Sequence, residues 1–225
     1  MSNTTISASY ANLVGVVVRL LRVIEKQRDL GPNEVKAPDR ENGLAATVVM
    51  LCAAIIEGSV HRRYHFEELA GSVSPDQRKS RERLLQWLEP HLASSAVDVR
   101  HVEEVFSARD MLVHAHTWVA KTDGLPTLHF VEPPTLAGYG DPRFRRILDE
   151  KTRKSTDLRL NLYPIRVWRR DAYECFRVAI SVLAALEASD PIGLTLRSNS
   201  EEYWYRGSHR TLPEIMGMLP VIEDR

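Results

Sequence analysis

The chain has 225 residues, with 30 Lys+Arg balanced by 30 Asp+Glu and a formal net charge of zero. Its hydrophobic share of 44% and charged share of 27% are those of a soluble globular protein and exclude wholesale disorder. The balance also excludes a body basic enough to grip any polyanion, so recognition of a nucleic acid would have to come from a local patch or an assembled cleft.

Length predicts one domain over 1–225, with a core at about 8–190, an insertion at about 122–164 and a tail at 191–225. Such a domain is large enough to fold without disulfide or metal staples. Cys52 and Cys175 lie in apolar or amphipathic runs and read as small core residues, with no disulfide framework. The first five residues carry no basic region of a signal peptide. The longest apolar stretch, 44–56, falls short of the roughly 20 residues a membrane span needs. A reducing cytoplasm and no membrane partner are the expectation.

Helical periodicity appears first at 9–28, where Leu13, Val16, Val17, Leu20, Leu21 and Ile24 recur on one side. Gly31-Pro32 and Pro38 mark a loop. A long helix follows from about Asn42 to Leu69 or Ala70. Its first half is apolar nearly all round, as the central element of a bundle would be; its second half is polar and must emerge. Pro75 suits the first turn of a third helix over 76–91, with Leu84, Leu85 and Leu88 inward. A fourth helix is expected over 97–121. Dense Gly and Pro punctuation then fills 122–142. The alternating runs 128–131 and 158–162 read as a small two-stranded insertion with a helical segment near 143–154 between them. A last long helix covers 167–189, and the tail beyond it is mixed. The fold class expected is all-α: an up-and-down helical bundle with a small two-stranded β insertion before the last long helix.

One residue of the fourth helix is anomalous. On a helical projection Arg109 falls in the middle of the stripe formed by Val102, Val105, Phe106, Leu112 and Val113. A guanidinium stays charged, so burying it there without a partner is costly. His116 projects onto the same stripe; Glu103, Ser107, Asp110 and His114 share an adjoining polar face. Either Arg109 pairs with an internal carboxylate such as Glu57 in a structural network, or it lines a cleft or subunit interface.

The string Ser107-Ala108-Arg109-Asp110-Met111-Leu112-Val113-His114 resembles the motif of HEPN domains. That motif is an Arg followed by a polar residue, with a His four to six residues beyond and often a Val just before it. More loosely, the apolar helix ending in Ala54-Ile55-Ile56-Glu57 is similar to the early HEPN helix. The last apolar helix, after Leu160-Asn161-Leu162-Tyr163-Pro164, is similar to the closing helix of abortive-infection members. The resemblance spans about residues 8–190. It implies a metal-independent RNA endonuclease, a toxin or phage-defence effector of a prokaryote, working as a homodimer with RNA as substrate and an antitoxin or partner protein as a further candidate partner.

The residue types suit that chemistry on their own terms. Histidine can move protons near neutral pH as base or acid. The planar fork of arginine matches two phosphate oxygens and stabilises charge developing in the transition state. Arg109, Asp110 and His114 are thus the candidate catalytic residues, with Asp110 orienting the other two; His116 and Glu57 could contribute. Arg109 and His114 project about 140° apart on a straight helix. HEPN domains bring two motifs together across a two-fold interface, which implies a composite site in a dimer. His116 also fits the wider spacing, but the Asp110 and Val113 context belongs to the shorter form. In HEPN toxins silenced by a nucleotidyltransferase a Tyr follows the His by two residues; here that place holds His116, which puts that control in doubt.

Other constellations compete. Glu57, His61 and His65 recur every four residues and could form a metal stripe, yet they sit among charges as a solvated face would. No cofactor or metal is expected. Arg143, Arg145 and Arg146, with Lys151, Arg153, Lys154 and Arg159, make the insertion locally basic: a solvated helix, or an arm that follows the phosphates of RNA. Tyr203-Trp204-Tyr205-Arg206 could stack on bases, or pack the tail onto the body. The alternative to a nuclease is a non-catalytic HEPN-like module binding nucleotide, RNA or a protein partner.

Overall fold

A computed structural model describes residues 9–28, 30, 37–73, 80–114, 118–119, 121–123, 129–130, 135–136, 142–149, 151–189 and 201–222. Among them the chain is mostly helical, with short antiparallel strand pairs, and one contiguous hydrophobic core draws on helices from α1 to α7. Helix α1 (Ser9–Ile24) buries Val14, Val17, Val18, Leu21 and Ile24. Helix α2 (Asp39–Leu69) is the central rod, packed by α1, by α4 (Val99–Val113) and by α6 (Arg169–Ala188).

The apolar surface of the first half of α2 follows from that position: Val48, Cys52, Ile55 and Ile56 are fully enclosed, as is Tyr64 in the polar second half. By length and mean hydropathy (1.9 over its best 18 residues) α2 could also cross a bilayer, but half of that stretch is buried in the bundle. Its start is pinned by Asn42, whose Nδ2 donates to the carbonyls of Pro164 and Val167 at 2.7 and 3.0 Å. Helix α4 opens on a capping box: the Asp98 carboxylate accepts from the amides of Arg100 and His101, and His101 Nδ1 accepts from the Asp98 amide. Helix α3 (Arg81–Leu88) is capped by Ser80 and runs into a 3-10 turn, Glu89–Leu92. It is shorter than the 76–91 expected, and 76–79 lie outside the described residues.

Three expectations need correction. The fourth helix stops at Val113 instead of running to 121, because the chain turns extended at His114 and enters strand pairing. Strands β1 (Trp118–Val119) and β4 (Thr135–Leu136) pair around β2 (Thr122–Asp123) and β3 (His129–Phe130). Second, His129–Phe130 therefore pairs with 122–123, not with 158–162. The leucine alternation at 158–162 does put Leu160 and Leu162 in the core, but in an irregular segment held by single bridges, Leu148 to Ser155 and Lys154 to Asn161. Third, the helix expected over 143–154 is only α5 (Pro142–Ile147). The Asp149 carboxylate accepts from the amides of Lys151 and Thr152, an alternative that draws the backbone out of the helix.

The tail is ordered into more than a mixed segment. Strands β5 (Glu202–Tyr205) and β6 (Ser208–Thr211) form a hairpin whose two turn residues, Arg206 and Gly207, both have positive φ, as a type I′ turn requires. Tyr205 is fully buried, and burial pushes its hydroxyl pKa up to about 12. Helix α7 (Leu212–Met218) then packs on α6. Of the aromatic trio, Tyr205 thus serves the core, while Trp204 stays half-exposed and meets His209 edge-on.

Candidate functional site

The C-terminal turn of α4, the middle of α2 and the first turn of α3 converge. Arg109 is half-buried; its Nε lies 2.8 Å from Oδ1 of Asp110 and its Nη1 3.8 Å from Oε2 of Glu57. That Nε–H is buried and has no aligned acceptor, so its contact with Asp110 is a charge pair and not a formed hydrogen bond. The other oxygen of Asp110 is met by Nη1 of Arg81 at 2.8 Å. Both guanidinium groups also lie over the Phe106 ring, at 5.2 Å for Arg81 and 5.8 Å for Arg109. Asp110 is itself buried and carries two cations on one carboxylate.

A cavity of about 220 Å³ opens beside this cluster. Val60, Leu84, Leu85, Leu88 and Phe106 form its apolar wall; Glu57, His61, Ser80, Arg81 and Arg109 supply its polar groups. A second depression of about 390 Å³ shares Ser80, Arg81 and Leu85 and continues to Glu103 and Arg146. Arg81 stands on the wall between the two.

Arg109, Asp110 and Glu57 are therefore brought together, as their types suggested. On the side of α4 that carries Arg109, Val102, Val105 and Phe106 are buried while Val113 is exposed, and Arg109 sits where that stripe meets the cavity. Its main anionic neighbour is Asp110, with Glu57 second. His114 does not lie on a helix. It is the C-cap of α4, with extended backbone (φ −91°, ψ 135°), an exposed side chain, and its amide donating to the Asp110 carbonyl at 2.9 Å. The 140° projection between Arg109 and His114 thus fails to apply, because the helix ends between them. His116 lies outside the described residues.

Glu57, His61 and His65 do not assemble: His65 Nδ1 contacts Glu68 at 3.3 Å, and no three metal-ligating side chains converge among the described residues. The basic segment is partly neutralised. Arg146 reaches Glu103 at 3.3 Å and Arg159 reaches Asp149 at 2.6 Å. The Arg159 hydrogen bond, with the Lys151 amide, holds Asp149 well below the usual carboxylate range. Arg145 is exposed, and Arg143 lies in α5.

Two features were missed from sequence. Arg81 carried no motif; only the fold brings it to Asp110. Glu104 projects away from the apolar stripe of α4, yet is fully buried. Its carboxylate accepts from the hydroxyls of Ser155 and Thr156 (2.6 and 2.9 Å) and the amides of Asp157 and Leu158 (both 2.8 Å). Asp171 similarly accepts from the amides of Asn161 and Trp168; burial raises its pKa against those hydrogen bonds. Together they clamp the 155–162 segment between α4 and α6.

No protein-family model, curated protein or solved structure matches the chain.

Proposed function

We propose that the chain is a metal-independent RNA endonuclease of the HEPN type, a cytoplasmic homodimer acting as a toxin or defence effector. The observation that carries this reading is the meeting of Arg81 and Arg109 on one carboxylate at a cavity, one turn before the exposed His114. A carboxylate paired with both guanidinium groups leaves the remaining donors of each fork for a second, incoming anion. In the proposed reaction Arg109 binds the scissile phosphate. His114 takes the proton of the 2′-hydroxyl, whose oxygen attacks phosphorus. The P–O2′ bond forms as the P–O5′ bond breaks, leaving a 2′,3′-cyclic phosphate, and His114 of the second copy returns a proton to O5′. Arg145 and Arg146, with Arg143 in the same helix, would follow the RNA backbone.

A second reading has its own support. Arg109 already has two acidic neighbours, Asp110 and Glu57, which suits a structural arginine in a non-catalytic binding module. Purified protein incubated with total RNA separates the two. Cleavage that survives EDTA and disappears in both Arg109→Ala and His114→Ala supports the nuclease. Intact RNA together with no growth toxicity from the wild type supports the binding module, and cleavage that persists in both variants removes the site assignment.

A further inference from the structure

The cavity beside Arg109 is lined by more apolar surface than a phosphate needs. Leu84, Leu85, Leu88 and Val60 face it, while the cations stand at one side on Phe106. Apolar cavities of roughly 150 Å³ take up benzene; the 220 Å³ here admits a larger planar ring. One carboxylate, Glu57, belongs to the same cavity; its side chain is 46% exposed and so open to a ligand, and it lies 3.8 Å from Arg109.

Resting on the reading of Arg109 as a phosphate ligand, we infer that this cavity is a guanine subsite, with Arg81 as a second phosphate-binding residue. A nucleotide joins its base to its phosphate through one ribose, and the cavity offers a leucine wall for the base and guanidinium groups for the phosphate. Of the four RNA bases, guanine alone presents two adjacent N–H donors, N1–H and N2–H, on one edge. A carboxylate accepts both with its two oxygens and rejects the other bases, which would leave it desolvated and unpaired. Glu57 is the acceptor so placed. Arg81, which meets the same carboxylate as Arg109, holds the phosphate with it and, shared by the two depressions, directs the following nucleotide toward Arg146.

The test is calorimetric titration of the full-length protein with the four ribonucleoside 5′-monophosphates and with guanosine. Guanosine monophosphate should bind at least tenfold more tightly than the other three. Glu57→Gln should bring the four to within about threefold of each other, and Leu85→Trp, which fills the cavity, should weaken all of them. Arg81→Ala should weaken the monophosphate but not guanosine. Because Leu85→Trp perturbs packing, Glu57→Gln at the open end of the cavity keeps the test decisive if that variant unfolds. Equal binding of the four nucleotides, or a guanine preference that survives Glu57→Gln, overturns the inference. RNA cleavage is scored separately. Selective guanine binding with intact RNA sustains the subsite and removes the nuclease reading; cleavage without guanine-selective binding does the reverse.

Discussion

Arg81 and Asp110 meet at 2.8 Å, which ties the first turn of α3 to the last turn of α4. The contact gives Asp110 a second cation besides its neighbour Arg109 and makes the short α3 part of the site.

On the proposed nuclease reading, loss of the fork should be felt in the chemistry. Arg109→Ala is expected to lower the RNA cleavage rate on the order of 10²–10³-fold, as removing one transition-state donor does elsewhere. Arg109→Lys should recover little, since a point charge does not match two phosphate oxygens. Rates on a labelled RNA with EDTA present measure both. A lysine variant within a few-fold of wild type would show that charge alone suffices.

Asp110→Asn should affect stability and activity together. It leaves two guanidinium groups facing a neutral amide, a loss of about 1–3 kcal/mol, and it loosens the aim of Arg109. Misplaced catalytic groups cost rates on the order of 10²-fold. Urea unfolding and cleavage assays on one preparation check this. A variant as stable as wild type would mean the pairing is not made in solution.

Glu104→Ala should be the most damaging substitution outside the site. The part-buried amides of Asp157 and Leu158 and the buried Ser155 hydroxyl lose their acceptor; water reaches part of this set, so the loss is about 1–3 kcal/mol in all. Denaturant midpoints read the effect directly. Ser155→Ala removes only one donor, and a loss equal to that of Glu104→Ala would contradict the clamp.

A pH dependence follows from His91. Burial lowers its pKa below the ordinary 6.5, with Glu67 pulling it up and Arg63 pushing it down. The fold thus prefers the neutral ring, packed 4.4 Å from Trp87. Its contribution is full above pH 6.5 and is lost as pH falls through the lower folded value. Thermal unfolding between pH 7 and 5 should show a falling midpoint for the wild type and a flatter profile for His91→Gln. Parallel profiles would assign the slope to other groups.

How much of this was legible in the sequence depends on the range of the interactions. The helices α1, α2 and α6 were readable because their apolar spacing is local and long. The end of α4 was not: Val113, Trp118 and Val119 continue a plausible helical pattern, and only the pairing of 118–119 with 135–136 decides against it. The β-branched and aromatic run Thr117-Trp118-Val119 was the available hint. Arg109 stood out because a fixed charge among apolar residues needs a reason, and Asp110 through the motif it shares with Arg109. Arg81 and Glu104 did not, since each is defined by a segment far along the chain. Nothing near Glu104 announces that 155–158 will cover it.

The clamp made by Glu104 and Asp171 also bears on how far the chain between α4 and α5 can change. The excursion containing β1–β4 departs after α4 and returns through α5 to a segment already anchored on both flanking helices. Its length can therefore change at little thermodynamic cost, since doubling a flexible loop adds only about 0.6 kcal/mol of closure entropy. Insertions and deletions there would leave Arg81, Arg109 and Asp110 in register.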